Sequence, residues 1–66
     1  MIEFQVNDMT CGHCVGAITR GVAAVDASAK VEIDLPTHRV RIHGSDQAQK
    51  FALAITEAGY TPTLIE

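Results

Sequence analysis

The sequence predicts an α+β sandwich, with four antiparallel strands in one sheet and two helices on one of its faces. Three observations carry that reading. Four short segments alternate apolar and polar residues, two longer ones repeat apolar residues at helical spacing, and their order is strand, helix, strand, strand, helix, strand. No linker, internal repeat or low-complexity tract interrupts the order, so residues 1–66 read as a single domain.

Residues 2–7 place Ile2, Phe4 and Val6 on one face and Glu3, Gln5 and Asn7 on the other, as a half-buried strand requires. After Asn7-Asp8 and the segment Met9-Thr10-Cys11-Gly12-His13-Cys14, apolar residues recur at Cys14, Ile18, Val22 and Val25. That spacing predicts the first helix, with Val15 widening its stripe. Asp26 and Ser28 break the period, and Ala29, Val31, Ile33 and Leu35 then alternate with Lys30, Glu32 and Asp34 in a second strand. Pro36-Thr37 turns the chain into a third strand, where Val40 and Ile42 alternate with Arg39, Arg41 and His43. Gly44 closes this hairpin.

Ser45 is the expected N-cap of the second helix, with Asp46 in its first turn and Ala48, Phe51, Ala52 and Ile55 on its inner face. Leu53 falls on the outer side, and Gly59 provides the stop. Residues 60–66 read as the last strand, which Pro62 confines to a sheet edge because it lacks a ladder N–H. Two split crossovers of this kind build a ferredoxin-like βαββαβ sandwich whose edges are the second and fourth strands.

A chain of 66 residues buries only about 60% of its unfolded surface, which leaves little room for an elaborate catalytic cleft. Phe4, Phe51 and Tyr60 are the only aromatic residues, so branched aliphatics and alanine must fill a thin core. Eight carboxylates against five lysines and arginines give a net charge of -3, with no basic stripe to neutralise phosphates, which excludes nucleic acid as a partner. No apolar run approaches the roughly 20 residues of a membrane helix. Met1-Ile2-Glu3-Phe4 lacks the basic and apolar regions of a signal peptide, and the expected location is cytoplasmic. In a reducing compartment two cysteines do not serve as a structural staple.

Their chemistry follows from their place. Cys11 and Cys14 stand where a loop enters a helix, so both sulfurs lie near the positive end of the helix dipole, where thiolates are favoured. Cys14 continues the apolar stripe and is expected to be the more buried; Cys11 is expected to be exposed and mobile, and Gly12 to let the backbone bend between them. Two soft sulfurs with no third cysteine suit a soft ion of low coordination number, Cu(I) above all. A structural zinc site would need four ligands, to be found among His13, His38 and His43. His38 and His43 sit on polar strand positions and receive no function. Haem attachment is excluded by Val15 after the second cysteine. The rival from another class is a small thiol-disulfide oxidoreductase, since Cys11-Gly12-His13-Cys14 is the active-site tetrad of protein disulfide isomerases. The strand order and Thr10, which stands where those enzymes usually have an aromatic residue, disagree with it. No catalytic residue is assigned, and the chain is not expected to be an enzyme.

Met9-Thr10-Cys11-Gly12-His13-Cys14 resembles the Met-x-Cys-x-x-Cys loop of heavy-metal-associated domains, and the likeness extends over the whole chain because that family shares the element order. With Gly-His between the cysteines and Gly59-Tyr60 late in the chain, the sequence is similar to free-standing bacterial copper chaperones of the CopZ type. The resemblance implies a cytosolic metallochaperone that takes Cu(I), with Ag(I) or Hg(II) as substitutes, and hands it by thiolate exchange to a copper-transporting P-type ATPase. It also allows a metal-bridged homodimer, or a module of an exporter or of a mercury- or silver-binding protein. It implies that Met9 packs under the loop and does not bind metal. Tyr60 matches a tyrosine whose hydroxyl would donate towards a metal-bound thiolate, or which simply packs at the helix end. Thr10 stands where zinc and cadmium exporters often carry aspartate, a harder ligand, and so favours Cu(I). Asp8 replaces a common glycine and adds a negative charge near the site. His13 is a solvent-exposed spacer, or a residue that binds metal in a dimer or shuttles a thiol proton.

Overall fold

A computed structural model describes residues 1–10 and 12–65. The elements are β1 (Ile2–Gln5), α1 (Gly12–Val25), β2 (Lys30–Asp34), β3 (Arg39–His43), α2 (Ala48–Glu57) and β4 (Thr63–Ile65). The strands form one antiparallel sheet in the order β2-β3-β1-β4, which places β2 and β4 at the edges. This is the ferredoxin-like arrangement. No helix among the described residues is long and apolar enough to cross a membrane.

The alternation along β1 and β3 decides the layering. Phe4 faces Val40 and Ile2 faces Ile42 in register, and Phe4, Val40 and Ile42 are buried against Ile18 and Val22 of α1 and Phe51 and Ile55 of α2. On the outer side of the same strands, Glu3 lies opposite Arg41, and its Oε2 is 3.1 Å from Arg41 Nε and 3.2 Å from Arg39 Nη1. Such half-exposed pairs contribute under about 1 kcal/mol each. The stronger constraint on register is apolar, because a slip of one residue would turn Phe4, Val40 and Ile42 out to water.

The β2–β3 hairpin closes through residues 35–38, where Pro36 presets the turn and the His38 N–H donates to the Leu35 carbonyl at 3.2 Å. His38 takes φ 56, the left-handed region in which histidine, asparagine and aspartate are enriched among non-glycine residues. His38 therefore belongs to the turn, not to a polar strand position. After α1, the Asp26 carboxylate accepts from the Ser28 hydroxyl and N–H, and these bonds hold it below the usual carboxylate range.

Three boundaries differ from the sequence pattern. β1 ends at Gln5, and Val6 leaves the ladder yet stays buried, its N–H donating to the His38 carbonyl at 2.8 Å. α2 begins at Ala48 with Gln47 at the cap position and no side-chain cap, while Ser45 Oγ accepts the Gln47 N–H at 3.4 Å. Ser45 thus shapes the turn before the helix, and Asp46 lies outside its first turn. β4 begins only at Thr63, after Pro62, because the Thr61 N–H is taken by the Asp8 carboxylate at 3.1–3.2 Å. Leu53 is 60% exposed on the outer side of α2, and Met1 and Leu64 are exposed with it.

α2 ends as the sequence indicates. The Gly59 N–H donates to Thr56 O and the Tyr60 N–H to Ile55 O, with Gly59 at φ 101, which is a Schellman stop. A side chain at Gly59 is strained at that angle even though an added Cβ would touch nothing. Gly59→Ala is expected to cost about 1 kcal/mol of stability, seen as a lower urea midpoint with an unchanged slope.

Candidate metal centre

The site is built where the loop after β1 runs into α1. Because α1 starts at Gly12, Cys14 falls in its first turn, and the spacing Cys14, Ile18, Val22 turns its side chain into the core, leaving 5% of the residue exposed. α1 carries no acidic side chain in its first turn, so no carboxylate on the helix competes there for the positive end of the dipole. Cys11 lies outside the described residues, and with it the expectation that its side chain is exposed and mobile.

Gly12 is the first residue of α1, and a Cβ built on it meets nothing within 4 Å. The bend expected between the two cysteines involves Cys11 and lies outside the described residues. Thr10 and His13 are exposed. Met9 is fully buried among Phe4, Ile18 and Phe51 in the core cluster. Its N–H donates to Val6 O at 3.1 Å, and its carbonyl oxygen lies 2.9 Å from His38 Nδ1. Tyr60 is half-buried, packing on the same core just past the Schellman stop.

Sequence reasoning missed two residues that hold this loop. Asp8, noticed only as an added charge, accepts the Thr61 N–H and so ties the segment before the cysteines to the segment after Tyr60. His38, passed over as a polar strand residue, reaches the Met9 carbonyl across 29 positions of sequence. The signal available for His38 was its place at the end of a Pro-Thr turn, where a left-handed residue is common. Nothing local announced its partner. Among the described residues no three His, Cys, Asp or Glu side chains converge as a ready multidentate site, and His13, His38 and His43 do not assemble as zinc ligands there.

The heavy-metal-associated domain profile matches residues 3–61. The chain belongs to the heavy-metal-associated domain family. This domain is 32% identical over 66 residues to the copper chaperone CopZ of Enterococcus hirae, covering 96% of each chain. Copper chaperone Atx1 from Synechocystis PCC6803, in its Cu2 form, superposes with a TM-score of 0.89 at 30% identity, with 96% of this chain and all of that one covered. It is also 34% identical over 65 residues, 96% of this chain, to copper-transporting ATPase 1 of Rhizobium meliloti, of which it spans 8%. It spans a fifth or less of the longer curated relatives it matches. It is a copper-chaperone-like heavy-metal-associated domain.

Two substitutions separate packing from other roles in the loop. Met9→Ala is expected to cost 2–5 kcal/mol, on the order found for emptied core sites, and Met9→Leu less than about 1.5 kcal/mol. Gly12→Ala is expected to leave the thermal midpoint unchanged or raised, since alanine is the better helix former by about 1 kcal/mol.

Proposed function

We propose that this domain is a cytosolic Cu(I) carrier in which Cys11 and Cys14 hold one ion and pass it to the metal-binding domain of a copper-transporting P-type ATPase. The observation that carries the reading is the placement of Cys14. It is an almost buried sulfur in the first turn of α1, three residues after a second cysteine, with no acidic side chain in that turn. Two thiolates favoured by the helix dipole form a soft donor set of low coordination number, and such a set prefers Cu(I) to harder divalent ions. Ag(I) and Hg(II) share that preference. With Cu(I) the two sulfurs leave about one net negative charge at the site.

Delivery requires that the ion never be released to water. A thiolate of the acceptor joins the bound Cu(I), one donor sulfur departs, and the second exchange follows, with copper remaining Cu(I) throughout. Each step trades one metal–sulfur bond for another, so transfer is fast even where retention is strong. Cys11, the earlier of the pair in the sequence, is the first sulfur to be shared, and Cys14 the anchor. Similarity to the E. hirae chaperone supports the carrier role, and similarity to a segment of the R. meliloti ATPase supports an acceptor built on the same fold. Tyr60, beside the loop, is the candidate donor of a hydrogen bond to a metal-bound thiolate, and Thr10 leaves the site without a hard ligand. Exposed His13 is free to meet a second copy in a metal-bridged homodimer.

Cys11→Ser and Cys14→Ser are each expected to abolish Cu(I) retention against a chromophoric chelator, and Met9→Leu to leave it nearly unchanged. Loss of binding in Met9→Leu would show that its thioether ligates. Insulin-disulfide reduction by the reduced protein is expected to stay at free-thiol background; turnover above it would move the pair to redox chemistry.

A further inference from the structure

The turn between β2 and β3 is fastened to the segment that leads into the cysteine pair, and one residue makes the fastening. The His38 N–H donates to Leu35 O at 3.2 Å, its carbonyl accepts the Val6 N–H at 2.8 Å, and its ring Nδ1 lies 2.9 Å from Met9 O. A carbonyl oxygen only accepts, so Nδ1 carries the proton and the neutral ring is the Nδ1–H tautomer. The same stretch is held from its other side, where the Asp8 carboxylate accepts the Thr61 N–H, and from within, where Met9 is fully buried. The Met9 carbonyl is thereby fixed two residues ahead of Cys11. His38 does this from φ 56, a conformation in which glycine or asparagine is under less strain.

We propose that His38 is a positioning residue for the metal loop, its Nδ1–H orienting the Met9–Thr10 peptide so that the backbone entering the Cys11–Cys14 segment is set before metal arrives. The inference rests on the reading that these cysteines take Cu(I). Its physical content is preorganisation. A loop already ordered in the metal-free protein loses less conformational freedom on binding, and outer hydrogen bonds that orient a ligand segment are commonly worth 10–100-fold in metal affinity.

The test compares His38→Asn with His38→Gly. Asparagine tolerates the left-handed conformation and carries its Nδ2–H₂ the same number of bonds from the backbone as the histidine Nδ1, whereas glycine accepts the angle but offers no donor. Cu(I) affinity by anaerobic chelator competition is expected to fall about tenfold in His38→Gly and to be largely restored in His38→Asn, with both variants folded by circular dichroism. Equal affinity in His38→Gly and the parent, or equal loss in both variants, would overturn the proposal. Long-range ¹H–¹⁵N spectra of the metal-free parent protein give a readout that needs no variant and no metal. They are expected to show protonated Nδ1, and an Nε2–H ring would remove the hydrogen bond on which the argument stands. A parent protein that retains no Cu(I) but shows the Nδ1–H ring would sink the carrier reading instead, so the two failures are distinguishable.

Discussion

Burial of Met9 and Cys14 in the same core as Phe4 and Phe51 governs the rest of the molecule. Met9 lies on the loop side of the helix start and Cys14 on the helix side, so the core grips the chain on both sides of the start of α1. The start of α1 is therefore held against the sheet, with Cys14 at the positive end of its dipole. The strands contribute by supplying the floor. Phe4 from β1 and Val40 and Ile42 from β3 close the core beneath the loop, and their register cannot slip without exposing them.

The segment from Val6 to Met9 is held by contacts outside the cysteine segment. Val6, Met9, Asp8 and His38 bring together the end of β1, the β2–β3 turn and the segment before β4, all through bonds to backbone groups. Those bonds leave Thr10 and His13 exposed at the surface where a partner would approach. A carrier has opposing needs: strong retention of the ion and access for an incoming thiolate. In the proposed carrier, a fixed segment before the pair would serve the first need, and exposed Thr10 and His13 the second.

Most of the architecture was legible because the periods were clean. Alternation at Ile2, Phe4 and Val6 and at Val40 and Ile42, and helical spacing from Cys14 to Val22, specify which side of each element is buried, and burial decides the layering. The helix stop was legible at Gly59, where one angle demands one residue. What failed was local chemistry decided by distant partners. Ser45 looked like a cap, but α2 starts later and lacks a side-chain cap. The last strand looked long, and Asp8 takes the N–H of Thr61 before the ladder can begin. At the site, the cysteine pair was visible as spacing, while Asp8 and His38 were not, because their bonds join residues 53 and 29 positions apart.

The central claim is that the pair is a soft two-sulfur site for a monovalent ion, and one measurement addresses it most directly. The fully reduced protein would be titrated anaerobically with Cu(I) against a chromophoric chelator, and the titration repeated with Zn(II). The account predicts about one Cu(I) held per monomer or shared per dimer, far more tightly than Zn(II), as the softness of two thiolates requires. Weak Cu(I) retention beside a preference for Zn(II) would contradict it.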